Sequence, residues 1–342
     1  MRVSGSPLIS VVVLNWNGGR MVEGCLMSVR DQSYHPLEII VVDNASTDGS
    51  ADLIKMRFPE VKLIINKKNL GFGGGNNIGI HASRGRYIMI LNNDACLGPD
   101  CIKELKRSIE KDKRYGACAS KILLDNNGNL LDAAGIAICK DGLSIGRGRL
   151  ESAHQYQVEE EVFFSSGCAS LFRKEMLDDI GLFDEDFFAY ADDTDMGWRA
   201  RLAGWRCIYN PKAIVYHLHS ASSSAYSPLK AFLVERNRIW VAIKYFPFRL
   251  LISGPFYTLN RYFYQAYGAL FGEGAAGRFT KEFSKFKLIK VLVKVYISVL
   301  KNMPIILQKR SQIKGKKRIS NKEMYGLFKR FGLSGKEIAF KE

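Results

Sequence analysis

Residues 87–96 read YIMILNNDAC. Tyr87 to Leu91 is an unbroken apolar run, as expected of a strand covered on both faces. The run stops in Asn92, Asn93 and Asp94, three groups that need partners or a ligand. A buried strand with a polar tip fits an α/β sheet, where ligands sit beyond the carboxyl ends of the strands.

The pattern recurs upstream. LISVVVLNWNGG (8–19) and LEIIVVDNASTDGS (37–50) are β-branched runs that close in Asn, Asp, Ser and Gly. VKLIINKKN (61–69) leads into the Gly-rich NLGFGGGNN (69–77). Between them, MVEGCLMSVRDQ, SADLIKMRF and NIGIHASRG have helical spacing. Strands that alternate with helices predict a parallel sheet with helices on both faces. Asn15, Asp43, Asn69 and Asp94 each follow a strand, so they are expected along one sheet edge. Residues 115–170 are less regular: AICKDGLSI and EVFFSSGCASLF are short strand candidates, and RGRLESAHQYQVEEE (147–161) reads as a mobile stretch.

The 342 residues carry a formal charge of +16, unevenly placed. Residues 1–243 hold 29 Lys/Arg and 29 Asp/Glu, whereas residues 244–342 hold 21 and 5. The expected division is therefore a neutral body over 1–243 and a basic extension over 244–342 that seeks something anionic. Seven cysteines without a C-x-x-C pair argue against a zinc ribbon or disulfide framework and fit a reducing cytosol. The apolar run near the start is too short for a secretory leader.

Four stretches in order, VVVLNWNG (11–18), VVDNASTDGS (41–50), ILNNDA (90–95) and FFAYADDTDMGWRARLAGW (187–205), resemble the inverting family 2 glycosyltransferases with the GT-A fold. The chain is most similar to their rhamnosyltransferase-like branch, over roughly residues 8–243. The resemblance implies a Rossmann-like α/β domain that binds a nucleotide-sugar. It places Asp43 on the imide N–H of a uracil or thymine, although an Asx turn capping the next helix explains the same residue. Asn15, Asn69 and Gly71 fall beside the donor, with the glycines giving the backbone close access to it. In ILNNDA the usual metal-binding D-x-D has lost its first acid to Asn92. Asp94 remains to hold Mg²⁺ or Mn²⁺, and Asn92 or Asn93 contacts ribose or diphosphate. His217, in YHLH (216–219), completes the metal site; His219 points to the other side if the strand continues. Asp193 is the general base, with Asp192 where Glu is common, and Ser166 and Gly167 border the donor sugar. An acidic helix start also accounts for Asp192, Asp193 and Asp195. Trp198 and Trp205 are either sugar platforms or core.

Three other functions compete, one of them a nucleotidyltransferase that makes activated sugars and releases pyrophosphate from a triphosphate. Gly71-x-Gly73 after a strand mimics a dinucleotide fingerprint and so a nicotinamide-dependent Rossmann oxidoreductase, but Asn76 occupies the third glycine position. A degenerate transferase kept as a membrane scaffold would explain Asn92.

Residues 245–272 include ten aromatics with Arg249 and Arg261 between them, and no uncharged run is long enough to span a bilayer. In KLIKVLVKVYISVLK (287–301), Lys287, Lys290, Lys294, Ser298 and Lys301 share a helical face, with Leu288, Val291, Leu292, Val295 and Val299 filling the remainder. The expectation is a helical, peripheral attachment to an anionic membrane surface on its cytoplasmic side. A helix packed on the body with a solvated Lys face is the alternative. No nucleic-acid module is recognisable. A lipid-linked glycan acceptor unites the two halves, and ERNRIW (235–240) departs from the Q-x-x-R-W of polymer-making relatives, which points to limited addition.

Overall fold

The computed structural model describes residues 6–124, 128–218, 227–271 and 285–341; His219 lies outside them. The strands are β1 (Ile9–Asn15), β2 (Leu37–Asp43), β3 (Lys62–Ile65), β4 (Tyr87–Asn92), β5 (Ala95–Leu97), β6 (Tyr115–Leu123), β7 (Leu131–Ala134), β8 (Ile136–Ile138), β9 (Ser144–Gly146), β10 (Glu160–Val162), β11 (Ala169–Arg173) and β12 (Arg206–His217). The helices are α1 (Met21–Arg30), α2 (Ser50–Arg57), α3 (Gly71–Ala82), α4 (Cys101–Ile109), α5 (Lys174–Ile180), α6 (Asp192–Leu202), α7 (Pro228–Tyr245), α8 (Phe248–Phe271), α9 (Lys285–Lys316), α10 (Asn321–Phe331) and α11 (Gly335–Lys341).

The chain divides into two compact units. One comprises Met1–Ile136, Gly146–Ala200 and Trp205–Ser222; the other comprises Ala137–Ile145, Arg201–Gly204 and Ser223–Glu342. The first is built on a ten-stranded sheet of order β10-β12-β6-β11-β4-β1-β2-β3, with β5 on β12 and β7 on β6. β3, β2, β1 and β4 are parallel, as their apolar runs predict. β11 departs from the expectation: it lies antiparallel between β4 and β6. Val11, Val13, Val41, Met89 and Leu91 face Val22, Leu26 and Val29 of α1 in a dry core. The stretch expected to be mobile is ordered. Arg147 pairs with Glu160, Tyr156 donates to Glu151, and Ala153–Gln155 forms a short 3₁₀ turn.

Register brings the polar tips together. Asn15 stands opposite Asp43, and Leu14 opposite Asn92, so three neighbouring strands end level. Because β11 runs the other way, its beginning meets the end of β4, and Asn92 N–H donates to Cys168 O at 2.8 Å. β12 ends beside β5, which places His217 opposite Ala95 and hence next to Asp94.

The second unit is helical. α7 packs along α9, and the apolar set counted from sequence splits on this contact. Val291, Val295 and Val299 are buried, while Leu288 and Leu292 are half-buried. Buried charge fixes α7 and α8 to the 139–143 turn: Arg261 Nε bonds Asp141 at 2.7 Å, Arg261 Nη2 bonds Glu235 at 2.9 Å, and Arg238 Nε bonds Glu235 at 2.6 Å. Burial opposes ionisation of Asp141, yet Arg261 and Arg238 outweigh it and hold its pKa below the ordinary value.

Candidate active site

The edge is a continuous polar seam. Asn15 Nδ2 donates to Asp43 Oδ2 at 2.7 Å and to Ser50 Oγ at 2.9 Å. Asp43 Oδ1 accepts the Ser46 N–H at 2.9 Å, so the carboxylate is 1% exposed with both oxygens engaged. Both sequence readings of Asp43 meet here, because the Asx turn exists and Asp43 stands at the strand tip. Asn15 Oδ1 in turn accepts from Asn93 Nδ2 at 2.9 Å. Asn44 ties this seam to the next loop. Its Nδ2 donates to Asn69 Oδ1 at 2.9 Å, and its Oδ1 accepts from Asn66 and from the Leu70 N–H.

The glycines have a packing role besides the donor access expected of them. A Cβ on Gly71 would lie 2.2 Å from the Phe188 carbonyl oxygen, and one on Gly75 would lie 2.3 Å from Leu14 Cδ1. They let α3 press against β1 and the loop before α6, and the Phe72 N–H bonds Phe188 O at 2.6 Å. Close packing of protein on protein therefore explains the Gly-rich run, and the dinucleotide fingerprint loses its basis. Gly71 has a φ of +74°, which only glycine adopts without strain.

Asp94 and His217 meet: Nε2 lies 3.3 Å from Asp94 Oδ1, and both side chains are nearly buried. The other ring nitrogen, Nδ1, lies 2.7 Å from Asp132 Oδ2, and Asp132 is gripped by Arg149. Burial disfavours the charged ring, but Cys168, Asp132 and Asp94 outweigh it and raise the His217 pKa well above the ordinary value. The arrangement fits a divalent cation. A carboxylate oxygen and an imidazole nitrogen converge, and a cation there would displace the Nε2 proton while the carboxylate behind the ring keeps Nδ1–H and orients it. Two protein ligands suffice where diphosphate and water complete the shell. Among the described residues there is no cluster of three or more His, Cys, Asp or Glu able to hold a metal by themselves. Asp132 and Arg149 were missed from sequence; the one available signal was a lone carboxylate inside the apolar LLDAAG.

Asp193 opens α6 at the same edge. Its Oδ2 accepts the Gly167 N–H at 3.0 Å, and its Oδ1 accepts the Thr194 N–H at 2.7 Å. Burial raises its pKa against these donors. Burial, followed by the charge of Asp193, pushes Asp192 well up; its Oδ1 is buried with no hydrogen-bond partner among the described residues. Asp195 is fully buried and braces Arg199 at 3.0 Å. Three non-glycine residues, Phe188, Tyr190 and Ala191, adopt positive φ of 62–67° immediately before α6. Such strain collects at functional sites. Trp198 is core, edge-on to Phe163 at 4.9 Å, and Trp205 Nε1 bonds Asp179 at 2.8 Å. The exposed aromatics of these segments are instead Trp16 and Phe188. A cleft of about 640 Å³ at the opposite, amino-terminal ends of β2 and β3 mixes Arg30, Lys62 and Arg84 with Glu38 and Glu60, and none of the motif residues lines it.

A mixed sheet of this order, with a polar seam at its carboxyl edge and an acid opening the helix beyond it, has the GT-A fold. The chain belongs to glycosyl transferase family 2, whose sequence model matches residues 10–181, half of the chain. It is 27% identical over 269 residues to the N-acetylglucosaminyl-diphospho-decaprenol L-rhamnosyltransferase of Mycobacterium tuberculosis, covering 69% of this chain and 87% of that protein. It is 29% identical over 232 residues to the succinoglycan biosynthesis protein ExoO of Rhizobium meliloti, covering 64% and 63%. Among solved structures, the mannosyltransferase PcManGT of Pyrobaculum calidifontis, in complex with GDP-Man and Mn²⁺, shares the fold at a TM-score of 0.53 and 17% identity, over 92% of this chain and 86% of that one. GalNAc-T7 with UDP, GalNAc and Mn²⁺ does so at 0.58 and 16%, over 76% and 51%. The chain is thus a transferase of this family and not an oxidoreductase.

Proposed function

We propose that this enzyme moves rhamnose or a similar sugar from a dTDP- or UDP-linked donor to a hydroxyl of a lipid-linked glycan, with inversion, during cell-surface polysaccharide synthesis at the cytoplasmic side of an anionic membrane. The observation that carries the reading is the shared edge: Asp43, Asn15 and Asn93 are linked by hydrogen bonds, Asp94 follows next to His217, and Asp193 hangs from Gly167 beside the end of β4. The rhamnosyltransferase relative, whose name specifies a decaprenol-linked acceptor, supports the sugar and the lipid.

Asp43 reads the pyrimidine imide once the base enters the hydrogen bond that Asn15 makes to Oδ2. Asn15, Asn69, Asn92 and Asn93 line the ribose and diphosphate path, with Gly71 shaping its wall. Asp94 and His217 hold Mg²⁺ or Mn²⁺, and the cation supplies neutralisation of the leaving diphosphate. Asp132 keeps the His217 ring in place. Asp193 takes the acceptor hydroxyl proton as the oxygen attacks the anomeric carbon, the diphosphate leaves from the opposite face, and one displacement inverts the centre. Burial and the Asp193 charge favour the protonated form of Asp192, which would spare Asp193 a like charge next door. Residues 1–243 perform the transfer and residues 244–342 attach the enzyme. In Asp193→Asn, transfer should fall by roughly 10²–10⁴-fold while UDP or dTDP binding stays unchanged in a thermal-shift panel with and without Mn²⁺. Normal turnover in that variant refutes the base assignment.

A further inference from the structure

Two helix faces of the second unit are apolar and uncovered. On α8, Phe248, Ile252, Phe256, Leu259, Phe263 and Tyr267 recur at intervals of four and three, so they stack on one face, each 48–73% exposed. The other side of this helix is committed inward through Arg261, which is fully buried in its ion pairs. On α9, Phe286, Ile289, Val293, Tyr296, Ile297 and Leu300 are 48–69% exposed and fall within an arc of roughly 100°. Lys290, Lys294 and Lys301, all exposed, run along one border of that arc, and the Lys290 ammonium lies 4.8 Å from the Phe286 ring. A water-facing helix shows isolated apolar side chains, not a continuous row.

Charge selects what covers them. Neither α8 nor α9 contains an Asp or Glu, and residues 244–342 carry the whole positive excess of the chain. Among the described residues, no helix is long and apolar enough to cross a membrane. Pro255 and Arg261 interrupt α8, and Pro304 and the Lys border interrupt α9. These are the marks of helices that lie in the plane of an interface: an apolar face, aromatic residues and a flanking cationic row.

We propose that α8 and α9 hold the enzyme on an anionic lipid bilayer by burying these two faces at the headgroup boundary, the lysines beside the α9 face meeting lipid phosphates. This deepens the proposed function only in naming the surface where a lipid-linked acceptor is met; vesicle binding requires neither donor nor acceptor. Apolar burial is insensitive to screening, so the attachment combines a salt-sensitive preference for anionic lipid with a salt-resistant remainder.

The test is co-sedimentation of the full chain with vesicles of phosphatidylcholine, alone or mixed with phosphatidylglycerol, at low and high salt. The expected result is strong binding to the mixed vesicles and a fraction that high salt does not release. Phe256→Ser with Phe263→Ser should weaken partitioning about tenfold or more on both vesicle types. Lys290→Gln, Lys294→Gln and Lys301→Gln together should abolish the preference for phosphatidylglycerol. An unbound wild-type protein, a Phe variant that partitions like wild type, or a wild-type dimer that the Phe variant converts to monomer would each overturn the proposal. Unchanged circular dichroism and dTDP or UDP binding verify that the variants are folded. Vesicle binding without any nucleotide binding would sink the transferase assignment and leave this one standing.

Discussion

Replacing Asp132 by Asn keeps the outline of the side chain but removes the charge on which the His217 ring leans. Carboxylates behind a ligating histidine typically contribute 10–100-fold in metal affinity. Asp132→Asn should therefore weaken Mn²⁺ binding by about that factor, measured by calorimetric titration without donor; an unaltered affinity would show that Asp132 merely fills space. Asp193 supplies a pH signature. As the proposed base it would act only when ionised, and burial raises its pKa, so kcat/KM should fall with decreasing pH through a limb placed above the usual carboxylate value of about 4. A limb at or below that value counts against Asp193 as the base. Asp94 and His217 were legible because each stands next to a strand pattern. Asp132 was not, because its partner lies 85 residues away and no local period connects them.

For the elements, α3 shows how a glycine run can be misread. Gly71→Ala would set a methyl against Phe188 O and force φ to +74°, so it should cost roughly 1–3 kcal/mol and disturb the strained loop before Asp192. Gly49→Ala is the control. Its φ is +81°, but nothing lies within 4 Å of the added Cβ, so only the backbone cost of about 1–2 kcal/mol applies. Thermal denaturation compares the two, and equal losses would deny the close packing. Strands β1 and β4 could be read from sequence because burial on both faces leaves continuous apolar runs, and β2 and the edge strand β3 because they are apolar and β-branched although less buried. The antiparallel course of β11 could not, since a run as short as ASLFR (169–173) looks alike in either direction. On α9 the period was visible, but which apolar stripe turns inward depends on α7, and no count within one helix contains that information.

For the molecule as a whole, the two units should respond separately. Arg261→Met leaves Asp141 without its close cation and Glu235 with Arg238 alone, a loss of about 3–5 kcal/mol. The unfolding transition should drop while dTDP or UDP affinity, which the proposed function assigns to the sheet edge, holds; parallel loss of both would mean that the units are not independent. The position of β11 also limits how the protein can be cut for study. It shields the flank of β4 on one side and of β6 on the other, so a fragment ending before residue 169 would bare two greasy ladders and invite clumping. Stopping at residue 181, where the family match ends, would keep β11 yet strip β12 from β6 and discard both Asp193 and His217. A soluble minimal piece has to reach past β12, beyond the end of the family match at residue 181.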